Sequence, residues 1–211
     1  MSSIRRIAWS PDGRAIALVG PSGDRVDEGG GQGRVYVVDA ESGQVTRVSD
    51  SPVVDDDNGP LSWTPASEIA YAVQRTDNAD TPGIALAAPT ASGWTERIMV
   101  PRPGASRDLS VTAVGDGGRF AFISAADRLN IVNRDGSGLR ELSREPVFAR
   151  GSMCVAPDGS AVAASTGDGP GGIGGSDVLI VAGDGSGSSL RIRVGQVPAS
   201  GPACSWRPVE R

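Results

Sequence analysis

The densest group of metal-ligand atoms in the sequence is the run Ser51-Pro52-Val53-Val54-Asp55-Asp56-Asp57-Asn58-Gly59. Hard cations such as Ca²⁺ take several oxygen ligands, and three carboxylates beside a carboxamide would supply them. The spacing is not that of an EF-hand loop, however, and consecutive side chains cannot all turn towards one ion. A charge run of this kind is ordinarily a solvated loop. Asp24, Asp27 and Glu28 make a weaker case of the same sort, and no metal or other cofactor is expected.

Two further motifs invite a phosphate-binding reading: Asp135-Gly136-Ser137-Gly138 and Asp184-Gly185-Ser186-Gly187. Both lie between apolar runs of strand length with no helix following, so the helix-terminus amides that hold a phosphate are missing. They read as hairpin turns. The Gly-rich stretch 167–175 reads as a loop between strands and carries no reactive group.

What the sequence omits is more decisive. It has no His, and all 20 of its basic residues are Arg. A Ser-His-Asp or Cys-His nucleophile and a His-ligated zinc are therefore ruled out within this chain. So are Schiff-base chemistry and the P-loop lysine. The net charge of −5 and the scattering of Arg into pairs such as Arg5-Arg6 and Arg191/Arg193 argue against a nucleic-acid partner. No stretch approaches the ~18–20 apolar residues of a membrane-spanning helix, and no apolar signal-peptide core follows Met1. These features imply a cytoplasmic chain if Met1 is native, and a periplasmic or extracellular one if the sequence is a fragment of a secreted parent.

The elements that must position these residues repeat along the chain. With 30 Gly and 15 Pro among 211 residues, long helices are disfavoured. The first segment runs from Ile4 through Trp9-Ser10-Pro11-Asp12-Gly13 into Ala15–Val19, then, after a polar loop, into Arg34–Asp39, a Glu41-Ser42-Gly43 turn and Gln44–Val48. That is four short strands separated by turn signals. Three more copies follow, with Trp63-Thr64-Pro65, Asp116-Gly117 and Pro157-Asp158-Gly159 at the first turn. A last inner strand ends in Trp206-Arg207-Pro208. Aligned on Pro11, Pro65, Gly115, Pro157 and Pro208, the steps are 54, 50, 42 and 51 residues, close to the ~40–50 of a four-stranded propeller blade. The copies are degenerate: the second lacks Asp-Gly, the third lacks Trp and Pro, and the fourth has Val155 where Trp9 and Trp63 stand.

Trp9-Ser10-Pro11-Asp12-Gly13 followed by Arg14–Leu18, and the stretch Val132–Leu142, resemble the repeats of TolB-like, WD-type β-propellers over nearly the whole chain. The expected fold is all-β: one propeller domain over 1–211, with four four-stranded blades at about 4–50, 51–100, 101–145 and 146–197. The segment 201–208 adds the inner strand of a fifth blade. An inner strand without its outer three is an open edge, so the ring is expected to be incomplete, or completed by a missing N-terminal segment or a second copy. Trp9, Trp63 and Trp206 are expected in the core. Cys154 and Cys204 fall on inner strands of successive blades, where adjacent strands converge. That leaves open a disulfide, which implies an oxidising compartment, or two buried thiols acting as small apolar residues.

The function these features point to is a non-catalytic scaffold that binds a protein or small ligand, with the long loops 20–34, 74–83 and 165–177 sharing one face. A metal-dependent lactonase or hydrolase is the rival reading, but it needs carboxylates on inner strands that here carry Arg, Ser, Ala, Val and Trp. A sensor domain of a larger protein is a third.

Overall fold

The structure is a computed structural model, and it describes residues 6–21, 33–53, 61–74, 82–101, 109–124, 127–147, 153–166 and 177–193. All regular structure among these residues is strand, arranged as four four-stranded antiparallel sheets. The first contains β1 (Arg6–Trp9), β2 (Ala15–Pro21), β3 (Gly33–Asp39) and β4 (Val45–Arg47) in that order. The second contains β5 (Ser62–Trp63), β6 (Ile69–Gln74), β7 (Pro82–Thr90) and β8 (Gly93–Pro101). The third runs β9 (Leu109–Val114), β10 (Arg119–Ile123), β11 (Leu129–Asn133) and β12 (Arg140–Glu141). The fourth runs β13 (Met153–Val155), β14 (Ala161–Thr166), β15 (Asp177–Ala182) and β16 (Ser189–Arg193). Each sheet is thus an unbroken meander, as the repeat predicts.

The chain divides into two compact units, Met1–Val111 and Thr112–Arg211. In the first unit, Ala17, Val19 and Val35 of sheet one meet Leu61, Ile69, Tyr71, Val73, Ala85 and Ala87 of the second repeat in one apolar cluster. In the second unit, Ala121, Ile123, Leu129 and Ile131 pack with Val162, Ala164, Leu179 and Val181. The period-2 alternation of a strand sends alternate residues to opposite faces, so the two central strands of each sheet contribute to a cluster with every second side chain.

The turn after the first strand shows how sequence degeneracy is absorbed. In sheet one, the Ser10 N–H donates to the Ala15 carbonyl at 2.8 Å, the Ala15 N–H donates to the Ser10 hydroxyl at 2.9 Å, and the Gly13 N–H donates to the Ser10 carbonyl at 3.0 Å. The Asp12 carboxylate accepts from the Ser10 hydroxyl at 2.7 Å and from the Arg14 N–H at 3.0 Å. Gly13 sits at φ +70°. The second repeat has no Asp-Gly, yet Ser67 takes the same place, with its N–H donating to the Thr64 carbonyl at 3.0 Å and φ at +60°. A non-glycine residue there carries a steric cost of roughly 1–2 kcal/mol.

A second use of glycine is close approach. A Cβ on Gly183 would lie 2.1 Å from the Gly159 carbonyl oxygen, and one on Gly159 would lie 2.9 Å from the Gly115 Cα. The first-turn hairpins of sheets three and four therefore touch backbone to backbone. Arg119 Nη1 closes the same corner by donating to the Gly183 carbonyl at 2.7 Å.

Two expectations follow for urea denaturation. Ser67→Gly raises the unfolding free energy by about 0.5–1 kcal/mol, since glycine relieves the left-handed backbone. Gly183→Ala lowers it by at least ~2 kcal/mol, because backbone rather than a movable side chain blocks the new methyl group.

Candidate functional site

The turn carboxylates are spent on the backbone. Asp135 accepts from the Ser137 N–H at 2.9 Å and its hydroxyl at 2.6 Å, and Asp184 accepts from the Ser186 N–H at 2.8 Å. Hydrogen bonds hold the carboxyls below the usual range: from the Ser10 hydroxyl at Asp12, the Ser42 N–H at Asp39, the Ser160 hydroxyl at Asp158 and the Ser186 N–H at Asp184. These are turn-forming acids. Among the described residues no group of three or more His, Cys, Asp or Glu is placed to hold a metal ion. Asp55, Asp56 and Asp57 lie outside the described residues, as do most of the loops 20–34, 74–83 and 165–177.

A carboxylate that the sequence did not single out does more. Glu96 of β8 accepts the Tyr71 hydroxyl at 2.7 Å, the Asp50 N–H at 3.0 Å and the Ser51 N–H at 3.1 Å, and it also takes the Ser51 hydroxyl. The chain leaving sheet one is thereby tied to the outer strand of sheet two. Two residues further on, Val53 bridges Gly33 and Val73, one from each sheet. Tyr71 is completely buried. Its burial first, then the charge of Glu96, push its hydroxyl well above the ordinary tyrosine range. Nothing in the sequence marks Glu96, since its partners lie 25 and 45–46 residues away.

The tryptophans divide. Trp63 is half-buried against sheet one: its Nε1–H donates to the Ala8 carbonyl at 3.0 Å, and its ring meets Trp94 edge-on with centroids 6.4 Å apart. Such an aromatic pair adds about 0.5–1.5 kcal/mol beyond its burial. Trp9 does not fulfil the expectation of a core residue: it is 59% exposed. The reason is directional. At this position in the repeat the side chain points towards the preceding sheet. Trp63 has sheet one to pack on, and Val155 packs in the cluster of sheets three and four. Sheet one has no described sheet before it. Trp206 lies outside the described residues.

Trp9 is not isolated. Directly paired residues share a face, so the registers define two rows across sheet one: Ile7–Leu18–Tyr36–Arg47 and Trp9–Ile16–Val38–Val45. Ala8, Ala17 and Val37 point the other way, into the cluster. The outward face is apolar from inner to outer strand. Ile7 is 66% exposed, Val45 60%, and Ile16, Leu18, Tyr36 and Val38 are half-covered. Soluble proteins seldom leave a contiguous apolar patch of this kind without a binding role. Cys154, on the inner strand of sheet four, is disulfide-bonded; Cys204 lies outside the described residues.

No protein-family model matches the chain, and neither does any curated protein sequence. Solved structures do match, and they define the fold as a β-propeller. TolB from Acinetobacter baumannii superposes with a TM-score of 0.67 at 18% identity, over 90% of this chain and 43% of that one. The nidogen/laminin complex gives 0.64 at 10% identity, over 92% and 66%. Oligogalacturonate lyase in complex with manganese gives 0.59 at 12% identity, over 88% and 51%. The four sheets are thus propeller blades similar to those of TolB, and the chain spans about half the length of the propeller proteins it resembles.

The Tyr71–Glu96 contact sets a pH dependence. Native Tyr71 resists deprotonation, whereas in the unfolded chain it titrates at about 10. The native state then holds the extra proton, so its contribution is whole below that pH and is lost as pH rises above it. Denaturation monitored from pH 8 to 11 shows this alkaline loss in the parent chain and a smaller one in Tyr71→Phe. At pH 8 the variant is itself about 1 kcal/mol less stable through the missing hydrogen bond.

Proposed function

We propose that this chain is a non-catalytic propeller scaffold that binds a protein partner through the outward face of its first blade. The observation that carries the reading is Trp9. It occupies the repeat position at which Trp63 is packed and hydrogen-bonded, yet it stands exposed beside Ile7 and Val45. Binding energy concentrates in central aromatic and aliphatic anchors of such patches, and an exposed Trp is an anchor of that type. The surface fits a partner that presents a sheet of its own, because the described packing of Trp63 on sheet one is sheet against sheet.

The similar structures support the reading only in part. The nidogen propeller was solved in complex with laminin, which is protein binding by this fold, while the oligogalacturonate lyase is an enzyme. The choice between them rests on the residues: the described carboxylates near turns are engaged with backbone, and the chain has neither His nor Lys.

A photo-crosslinking amino acid at position 7, introduced in the cell of origin, tests the proposal. The expected result is a discrete covalent adduct with one protein, absent when the same probe stands at the solvent-facing turn residue Gly43. Trp9→Ser removes the adduct while shifting unfolding by no more than ~0.5 kcal/mol, as for other exposed positions. Equal labelling at positions 7 and 43, or an adduct indifferent to Trp9→Ser, would sink the proposal.

A further inference from the structure

The outward face of sheet one is polarised. Along β3, Val38, Tyr36 and Arg34 take successive positions on that face, each two residues and so roughly 7 Å from the next. The Trp9 row at one end is apolar throughout, and beyond the Ile7 row the far end holds the pair Gly20–Arg34. Gly20 brings no side chain; a Cβ there would lie 3.3 Å from the Tyr36 ring and 3.4 Å from Leu18. The ring thus lies back over β2, on the same face as Arg34. Arg47 ends the Ile7 row on the outer strand. Together these rows carry two cations and no carboxylate.

The two arginines differ. Arg47 has the Asp50 carboxylate at 3.5 Å, with both side chains well solvated. Arg34 is half-buried, and no carboxylate among the described residues reaches it. Its Nη1 makes only a 3.4 Å bond to the adjacent Gly33 carbonyl, and its Nε is enclosed without an acceptor. Buried donors are ordinarily paired, so an arginine kept for the fold alone would have found a partner. Its planar fork of donors matches a carboxylate.

We propose that the protein partner of this face carries an Asp or Glu that pairs with Arg34, at the end of a strand whose alternate residues are apolar. This rests on the reading of the face as a protein-binding surface and adds the partner's chemistry. Stacked sheets keep their strands within about 30° of one another, so a partner strand can follow β3 and meet Val38, Tyr36 and Arg34 in turn. Its pattern is apolar, any, apolar, any, acidic. Burial against Trp9 and the aliphatic rows supplies affinity. The ion pair sets direction and register, since a strand docked in reverse lays its carboxylate on Val38. An anionic bilayer is the other chemistry that meets apolar groups beside a cation. The apolar residues here spread over the broad face of a sheet rather than a projecting tip, and the net charge is −5.

The chain has no Lys, so Arg34→Lys introduces its one side-chain amine and permits zero-length carbodiimide coupling from that position. With the photo-crosslinker at position 7 in the cell of origin, Arg34→Lys still yields the adduct. Carbodiimide treatment of the purified adduct then adds an amide bond from position 34 to an Asp or Glu of the captured protein. Peptide mapping places apolar residues two and four positions from that acid. Arg34→Glu lowers the adduct yield at least about tenfold. Arg34→Gln lowers it less and leaves the denaturation midpoint of the free chain unchanged, which keeps the test sound if Arg34→Glu fails to fold. No adduct at position 7 in the parent chain overturns the surface and this inference together. An adduct indifferent to both variants, or an amine at position 34 that couples only within this chain, overturns the acidic partner and leaves the surface standing. So does co-sedimentation of the parent chain with vesicles of equal parts phosphatidylglycerol and phosphatidylcholine that is lost in Arg34→Gln.

Discussion

A four-stranded antiparallel sheet built from alternating apolar residues on both faces cannot stand in water alone; each face needs another sheet. This demand organises the molecule. In the first unit it is met by the layer in which Tyr71, Ile69 and Val73 of one sheet meet Val19 and Val35 of the other, and in the second by Ile123 and Ile131 against Leu179 and Val181. The inner-strand Trp63 closes the first layer by adding a directed bond, from its indole to the Ala8 carbonyl, to what is otherwise non-directional packing. On sheets one and four, apolar side chains of the faces turned away from these layers stand in solvent.

Much of this was legible in the sequence, because turns and alternation are local. Ser10, Asp12 and Gly13 announce their hairpin, and the Asp-Gly-Ser-Gly runs behave as the turns their composition implies. The second repeat lacks that grammar, but its place in the period located its turn, and Ser67 adopts the backbone that glycine would have taken. Pro11, Pro65, Gly115 and Pro157 each follow the first strand of one of the four sheets.

What was not legible is whatever depends on a neighbour. Trp9 and Trp63 stand in matching sequence contexts, yet one is exposed and the other packed, because burial belongs to the pair of sheets and not to the strand. Glu96 looks like any surface acid on an edge strand until the chain leaving sheet one folds back onto it with the Asp50 and Ser51 amides. Arg191 and Arg193 read as an isolated basic pair, whereas Arg191 Nε lies 2.6 Å from the buried carboxylate of Asp177.

The two interfaces are secured by unlike devices. Sheets one and two are locked by a carboxylate and by the bridge at Val53; sheets three and four are locked by glycine backbones in contact and by Arg119 and Arg140 reaching the carbonyls of Gly183 and Asp184. An array of repeats begins as interchangeable modules, any of which can be duplicated or deleted without loss of fit. Here that freedom has been surrendered. A blade moved to another position would bring a Glu with no amides to receive or a glycine with no backbone to meet, so the array can change in length only in whole interlocked pairs.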